Sequence, residues 1–435
     1  MITVGIDFGT HQTKVCCEIK EAGTALYNVI RFARPDGEET PTLPSFVHCQ
    51  WDGTLLYGHE AISLQFGGKS ITYFKQRMFD RSLSCNRRKE AEQWSVLYLA
   101  YLIFKLDVKL GTQRYVVHMG MPTSADPTFY NFAKCQAIKV MAAAMLIARK
   151  IFGNDLALYL RTPYSKLIME ANRAMASIPR DMHEARRKFP IFVFPEAYVA
   201  LIPLIAEHRL PNVGPNLFVD IGGGTVDISF FTNQMTGTSR GNRPQLYYYS
   251  SVPCGLNVIT GQDVLYSHTV EVTDELITSW GVDRFRQSLI KGIDDLMSIL
   301  RGQYENQGLI RVMPFMNLCG QILDGRPICY SGGGSIFHRL RLPVESANKN
   351  CKYRFSQVMT VSELVAHDRL SIDDKMFHVL ATAFALSHQS LCGYGAEPDA
   401  IELVELNNLL GGIALPHAAR CAPREKWARP KRWDW

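Results

Sequence analysis

The chain has 435 residues, of which 47% are apolar and 20% charged. This composition excludes global disorder, and the length predicts two or three units with their own cores. The formal net charge of +6 comes without dense clusters of lysine and arginine over most of the chain, which argues against a nucleic-acid-binding protein.

The cysteines and the N-terminus predict a cytoplasmic protein. The 11 cysteines are scattered singly apart from Cys16 and Cys17, and they form no CxxC pair. Zinc ribbons and thioredoxin-like motifs therefore have no support, and reduced thiols are expected. Asp7 interrupts the segment in which a signal peptide needs an apolar run. The longest apolar stretch, over 141–148, is far shorter than a membrane span.

The first half of the chain alternates strands and helices. Residues 3–8 predict a buried strand, followed by a Gly9-Thr10 turn and a returning strand over 15–19. Short strands and turns are expected over 41–47 and 55–58. Helices are predicted over 90–106, 129–152, 165–176 and 197–207, with buried strands over 115–119 and 190–194. Gly153 is expected to cap the second of these helices.

A linker at 211–215 separates this half from a second one in which the pattern restarts. A strand over 217–220, a glycine turn over 222–224 and a returning strand over 226–231 repeat the arrangement near residue 7, which predicts an internal duplication. An amphipathic helix over 283–300, a strand over 327–330 and a helix over 377–388 follow. The last residues, 425–435, are basic and contain three of the six tryptophans.

The first motif is the segment GIDFGTHQT over 5–13. A hairpin turn rich in glycine and threonine can aim backbone N–H groups at phosphate oxygens, because glycine allows a close approach. Asp7 cannot favour a phosphate directly, so its expected role is to hold Mg²⁺ through water. The alternative is a tight hairpin in which Asp7 only stabilises the turn.

The second motif is VDIGGGTVD over 219–227. Three consecutive glycines between two apolar strands weaken a sheet, so they usually serve a close approach. Asp220 would be a second carboxylate near the metal, and Thr225 offers a hydroxyl toward a γ-phosphate or an attacking water. A flexible β-turn is the alternative.

The third motif, YSGGGS over 330–335, ends a predicted strand and precedes an expected helix. Such a junction exposes helix N–H groups and suits the sugar or phosphate of a ligand. By itself it is only a loop.

Three glycine motifs in this order and spacing resemble the ATPase domain of the heat-shock 70 kDa chaperone (DnaK) and its relatives actin, MreB, ParM and FtsA. The resemblance covers roughly residues 2–390. It implies an α/β, actin-like ATPase fold, with two duplicated RNase H-like lobes and a central nucleotide cleft that binds ATP and Mg²⁺. Lobe I would span 1–210 and lobe II 211–410, with an inserted subdomain at about 232–321 and a basic aromatic tail over 411–435.

The resemblance also assigns binding residues in each motif. Asp7 and Asp220 would both hold Mg²⁺ through water. The first phosphate loop would be formed by Asp7, Gly9 and Thr10. The second phosphate loop would be formed by Asp220, Gly222, Gly223, Gly224 and Thr225. The adenosine motif would be formed by Gly332, Gly333 and Gly334.

Two further residues are candidates for catalysis beside Asp220 and Thr225. Glu196 lies just before lobe II, where the family places a glutamate near the nucleophilic water; a surface glutamate favoured by a helix N-terminus is the alternative. Lys75 lies where chaperone relatives carry a lysine that reaches the γ-phosphate and stabilises charge on the transferred group. A solvated lysine is the alternative there.

The chain departs from the chaperone pattern in three respects. His11 stands where a second threonine follows Thr10, and Ile336 stands where the adenosine loop usually has an arginine. These two departures therefore concern adenine selectivity and the rate of hydrolysis rather than nucleotide binding itself. The chain also ends soon after the ATPase region, so we do not expect it to hold peptides as chaperones do.

The expected function is that of a chaperone-like ATPase, a nucleotide-dependent conformational switch for a protein partner. One alternative is a filament-forming ATPase that acts by self-association. A small-molecule kinase, whose pattern Lys14 fits, needs a catalytic aspartate for which there is no convincing candidate. The basic tail could dock on a partner or an anionic membrane surface, although a disordered or packed terminus is favoured.

Overall fold

A computed structural model describes most of the chain up to residue 389. The predicted tail over 411–435 lies outside the described residues, as do most of the predicted linker over 211–215 and much of the predicted insertion over 232–321. The described residues are 1–21, 24–64, 67–124, 126–179, 181–206, 215–232, 245–261, 273–306, 327–341, 357–365 and 370–389.

Strands make up two larger sheets and two small ones within the described residues. They are β1 (Ile2–Phe8), β2 (Gln12–Glu21), β3 (Thr24–Val29), β4 (Phe32–Ala33), β5 (Glu39–Thr40), β6 (Thr42–Pro44), β7 (Val47–Cys49), β8 (Leu55–Tyr57), β9 (Lys69–Ile71), β10 (Val116–Met121), β11 (Ile191–Pro195), β12 (Pro215–Ile221), β13 (Val226–Thr232), β14 (Gln245–Val252), β15 (Pro327–Ser331) and β16 (Gln357–Thr360).

Helices lie between these strands and after the last of them. They are α1 (Gly58–Ser63), α2 (Phe74–Phe79), α3 (Cys85–Leu110), α4 (Pro127–Leu146), α5 (Leu156–Arg161), α6 (Tyr164–Ser177), α7 (Met182–Lys188), α8 (Glu196–Ala206), α9 (Leu256–Ile259), α10 (Ser279–Asn306), α11 (Val361–Leu364) and α12 (Asp374–Ser387).

The first large sheet has the strand order β11-β10-β1-β2-β3, with β6 pairing on β2. Its strands β1, β10 and β11 are parallel, whereas β1, β2 and β3 are joined as antiparallel neighbours. The hairpin of β1 and β2 places Asp7 directly opposite Lys14. The charged pair therefore lies at the end of the hairpin that carries the Gly9-Thr10 turn.

The second large sheet repeats this topology with the order β14-β13-β12-β15-β16. Strands β12, β13 and β14 are antiparallel neighbours, and β12, β15 and β16 are parallel. Asp220 is the next-to-last residue of β12, as Asp7 is of β1, and it lies opposite Asp227. The two sheets thus present an aspartate at the same position of the same hairpin.

The interior of the first half is built by α3 and α4, which pack against each other, with α4 also contacting β10 and β11. The predicted helix over 129–152 consists of α4 and a π-helical turn, Ile147–Ile151, and Gly153 ends it at a φ of 56°. The stretch Pro127–Ile151 is long and apolar enough to cross a membrane, yet 67% of its apolar window is buried within the protein. A mostly buried core helix passes the same test of length and composition.

Helix α12 joins the two sheets. It packs on β1 and β2 of the first sheet, and it also contacts the 3-10 turn Gly333–Ile336 that follows β15 of the second sheet. A Cβ atom at Gly5 would lie 2.3 Å from the backbone nitrogen of Ser387, so only glycine allows this approach. The helix therefore ties the third glycine motif to the first hairpin.

Three features of the second sheet and its partner were not predicted. The strand β14 lies inside the predicted insertion over 232–321, so that segment includes a strand of the repeated sheet. The edge strands β3 and β16 were also missed. The helix expected directly after the third glycine motif begins instead as the 3-10 turn Gly333–Ile336. Both strands lie at a sheet edge, and their identity depends on a neighbouring strand with which to pair.

Candidate functional site

The glycine motifs converge on one cleft of about 330 Å³. This volume falls within the range of about 300–1,000 Å³ for small-molecule sites. Gly334 does not line the cleft; it packs behind it, where a Cβ atom would meet Ile221 Cγ2 at 2.2 Å. The predicted residues that line the cleft are Asp7, Gly9, Thr10, Lys75, Glu196, Asp220, Gly222, Gly223, Gly224, Thr225, Gly332 and Gly333.

The first hairpin contributes an ion pair to the cleft. Lys14 Nζ donates to Asp7 Oδ2 at 2.9 Å, and Asp7 is 8% exposed. Burial lowers the pKa of Lys14, but the charge of Asp7 and its hydrogen bond outweigh burial, so the pKa of Lys14 is raised overall. Lys14 therefore stays charged and neutralises part of the acidic cleft.

Asp220 has a strongly perturbed carboxyl group in the cleft. Its burial, followed by the neighbouring charges of Asp227 and Asp7, raises the pKa of Asp220 to about 7. Lys14 opposes this shift only partly. Carboxylates that share a site raise one another's pKa, because both cannot be ionised without mutual repulsion. Lys14 therefore balances the charge of ionised Asp220 only in part.

Lys75 and Glu196 form the second ion pair of the cleft, joining the first turn of α2 to the first residue of α8. Lys75 Nζ lies 2.5 Å from Glu196 Oε1, and the side chain of Lys75 is only 8% exposed. Lys75 is therefore not a solvated surface lysine. Burial raises the pKa of Glu196, although the charge of Lys75 opposes that effect. A glutamate with a raised pKa is a better general base near neutral pH.

The turn over 222–224 is anchored through its carbonyl groups. Gly222 O accepts from Leu256 N at 3.0 Å, Gly223 O from Asn257 N at 3.0 Å and Gly224 O from Gly255 N at 3.1 Å. The N–H groups of Gly223 and Gly224 have no hydrogen-bond acceptor among the residues that the structure describes. Successive backbone N–H groups on a turn of this kind form a concavity that binds anions.

Asp227 is a cleft residue that the sequence reasoning did not single out. It accepts hydrogen bonds from the hydroxyl groups of Thr225 at 3.3 Å and Tyr249 at 3.0 Å. Burial raises the pKa of Asp227 despite these bonds. The Thr225 hydroxyl, predicted to serve a phosphate or water, is thus held by Asp227. The signal for Asp227 was its place in the second motif, opposite Asp220.

The third glycine motif approaches the second hairpin very closely. Gly332 has a φ of 82°, and a Cβ atom there would lie 2.2 Å from Asp220 Oδ1. Ser335 Oγ donates to Gly332 O at 2.7 Å and lies 2.9 Å from His378 Nδ1 on α12. This end of the cleft is mainly apolar, and its remaining lining residues are Leu256, Ile336, Phe337, His378, Val379 and Thr382.

A tyrosine connects the two sides of the cleft. Tyr73 has a left-handed φ of 57°, and its hydroxyl lies 3.3 Å from His11 Nε2 and 3.2 Å from Asn257 Nδ2. His11 belongs to the first turn, whereas Asn257 lies on α9 beside the second turn. We call this contact the Tyr73 bridge. A bulky residue with positive φ is an outlier that the surroundings must hold in place, and such residues cluster at functional sites.

The only sequence signal for the Tyr73 bridge was His11, which replaces the threonine of the chaperone pattern. The His11 and Tyr73 rings meet edge to face with centroids 5.1 Å apart. Gly224 of the second turn lies so close that a Cβ atom there would be 3.4 Å from His11 Cε1. The histidine therefore fills the space between the two glycine turns.

The charge balance of the cleft favours a divalent cation. Four carboxyl groups, of Asp7, Glu196, Asp220 and Asp227, face the two ammonium groups of Lys14 and Lys75. Among the described residues, no group of three or more His, Cys, Asp or Glu side chains could hold a metal directly. Mg²⁺ does not need such a group, since it keeps several waters and binds through one or two carboxylates plus phosphate oxygens. Asp7 and Asp220 fit that mode.

Comparison with known proteins gives no assignment of family. No protein-family model matches the chain, and a search of the curated proteins found no significant match. The function is therefore inferred from the residues and geometry of the cleft.

Proposed function

We propose that this protein is a Mg²⁺-dependent ATPase of the actin-like superfamily, most similar to the heat-shock 70 kDa chaperones. Two RNase H-like lobes would close over one ATP. The observation that carries the proposal is the repeated hairpin: two sheets of the same topology deliver Asp7 and Asp220 from the same strand position to one cleft. A single glycine turn would not support the proposal, because such turns are common in loops.

The glycine turns would bind the phosphates. The N–H groups of Gly223 and Gly224 lack protein acceptors among the described residues, and they lie on a turn whose carbonyl groups are already fixed. Anchoring of this kind pre-organises the donors, so that little entropy is lost when an anion binds. Gly332 would allow the nucleotide to approach the second hairpin, and the apolar end of the cleft would take the base.

Mg²⁺ would be held by Asp7 and Asp220, mostly through water. When bound, it neutralises charge on the phosphates and on the carboxylates that surround it. Asp220 would then be fully ionised at neutral pH, because a nearby cation favours the charged form of a carboxyl group. The acidic cleft and the anionic ligand are compatible only if a cation of this kind lies between them.

Hydrolysis would depend on the Lys75–Glu196 pair. Lys75 is positioned by its pairing with Glu196 to stabilise charge on the transferred phosphoryl group. Glu196 would orient the attacking water and accept its proton, for which its raised pKa is suited. Thr225 would fix the second turn by donating to Asp227 rather than donate directly to the phosphate.

A conformational switch would follow from the same contacts. The Tyr73 bridge and α12 connect elements of the two sheets, and ATP in the cleft would add contacts to both hairpins. Nucleotide binding would therefore favour a closed cleft, and loss of the γ-phosphate would weaken it. A protein partner that contacts both lobes would bind the open and closed forms with different affinities.

The experiment is a calorimetric titration of the full chain with ATP, in Mg²⁺ and then in EDTA, combined with an assay of phosphate release. We expect saturable binding that needs Mg²⁺. Glu196→Gln should retain binding and lose about 100-fold in turnover, the lower end for loss of general-base catalysis. Glu275→Gln, an exposed carboxylate outside the cleft, is the matched control. Absence of Mg²⁺-dependent nucleotide binding would refute the proposal.

A further inference from the structure

A second cavity, of about 620 Å³, lies where β9, α2 and the first part of α3 meet. Its floor is apolar and buried: Phe74 is 1% exposed and Trp94 4% exposed, with Ile71 and Ala91 beside them. Trp94 is held by stacking on Tyr164 with ring centroids 4.6 Å apart. The floor is therefore apolar and held in place, and the cavity above it has room for the body of a small organic molecule.

The rim of this cavity carries more positive than negative charge. Lys69 is paired with Glu90 at 3.7 Å, and Asp80 accepts hydrogen bonds from the backbone and hydroxyl of Ser82. Arg77 and Arg87 also line the cavity, are exposed, and have no carboxylate partner among the residues that the structure describes. Hydrogen bonds from Ser82 leave the charge of Asp80 in place, so three cations and two carboxylates give the rim a net charge of +1. The guanidinium groups of Arg77 and Arg87 can therefore attract an anion to the mouth of the apolar pocket.

We propose that this cavity binds a small amphipathic carboxylate, such as a medium-chain fatty acid. The acyl chain would lie on the floor around Trp94 and Phe74, where its burial removes apolar surface from water. The carboxylate would accept hydrogen bonds from Arg77 and Arg87, whose planar guanidinium groups match carboxylate geometry. A sugar would place hydroxyl groups against the apolar floor without partners, and a polyphosphate would leave that floor unused.

A ligand in this cavity would act on the nucleotide cleft through α2; this consequence rests on the proposed function. Helix α2 contributes Phe74, Gln76 and Arg77 to the cavity and Lys75 to the cleft. Tyr73, at the start of the helix, also lines the cavity while its hydroxyl makes the Tyr73 bridge. A shift of this one helical segment would therefore change contacts at both sites, and the coupling must be reciprocal.

The test of binding is calorimetry of the full chain with octanoate, with octan-1-ol as the neutral ligand of the same length. We expect saturable binding of octanoate and weaker binding of the alcohol. The double variant Arg77→Gln/Arg87→Gln should bind octanoate about tenfold more weakly, as expected for the loss of two exposed charge contacts. Arg114→Gln removes an exposed arginine elsewhere and should bind as the unaltered protein does.

The proposal is overturned if octanoate does not saturate, if the alcohol binds as tightly, or if the double variant binds octanoate normally. Coupling is tested by the ATP affinity at saturating octanoate, which should shift several-fold in the unaltered protein and not in the double variant. An unshifted ATP affinity overturns the coupling. If octanoate binds as expected but ATP does not bind at all, the cavity stands and the proposed ATPase function fails.

Discussion

Replacement of Asp220 by asparagine should raise the free energy of unfolding of the nucleotide-free protein. The same replacement should weaken the binding of Mg²⁺ and ATP. Asp220 is nearly isosteric with asparagine, so the cleft keeps its shape and loses one charge. Its pKa is raised from the ordinary value of 3.8 to about 7, with burial as the largest cause and Asp227 and Asp7 as the next. Ionisation of Asp220 therefore lowers the free energy of unfolding of the nucleotide-free protein, although the proposed function needs the charge.

The size of this cost follows from the shift in pKa. Each unit corresponds to about 1.4 kcal/mol, so the full shift corresponds to about 4 kcal/mol near neutral pH. Asp220 lies in a cleft that is partly open to water, and screening there reduces the effect to about 1–2 kcal/mol. We expect the asparagine variant to be more stable than the unaltered protein by that amount at pH 8.

The sign of the pH dependence distinguishes this cause from others. The native form holds the Asp220 proton up to about pH 7, whereas the unfolded chain releases it near pH 3.8. Below pH 3.8 Asp220 is protonated in both the native and the unfolded protein, and its ionisation costs no stability. As the pH rises from 3.8 through 7, the native protein must also ionise Asp220, and the free energy of unfolding falls. The advantage of the variant should be absent near pH 4 and complete near pH 8.

The measurement is urea unfolding of both proteins at pH 4 and pH 8, followed by titration with Mg²⁺ and ATP. Asp283→Asn, which removes an exposed carboxylate on α10, is the control and should change little at either pH. A variant that is less stable at pH 8, or equally shifted at both pH values, would refute the reasoning about burial and charge. Unchanged binding of Mg²⁺ and ATP would remove Asp220 from the metal site.

Three further substitutions test the rest of the cleft. Gly332→Ala should lower the free energy of unfolding by about 2 kcal/mol more than the control Gly37→Ala, as measured by urea unfolding. Both glycines have positive φ, but only at Gly332 would the added Cβ atom lie 2.2 Å from another atom. Tyr73→Phe should weaken ATP binding about five-fold by removing the hydroxyl of the Tyr73 bridge, as measured by calorimetry, and unchanged affinity would show that the bridge does not contribute. Lys75→Met should lower the free energy of unfolding by about 1–3 kcal/mol, because Glu196 loses its ion-pair partner. Adding Glu196→Gln should restore most of the lost stability. A double variant as unstable as Lys75→Met alone would contradict this explanation.

The sequence determined the parts of this protein that depend on local chemistry. Alternating or continuous apolar residues define β1, β2, β12 and β13, and glycines define the turns between them, because a turn of this kind needs residues that allow close backbone approach. The predicted hairpins are found at the expected positions. The candidate residues Asp7 and Asp220 followed from these turns, since their places in the hairpins are fixed within a few residues along the chain.

Only the tertiary structure decided which distant groups meet. Lys75 and Glu196 lie 121 positions apart in sequence, and their pairing depends on how α2 and α8 pack beside the first sheet. The Tyr73 bridge joins residues from three separate segments. The raised pKa of Asp220 depends on burial and on charges brought near by folding. Patterns along a chain specify turns and strand faces, whereas distances across a cleft and the loss of water from it arise only when all the packed elements are in place.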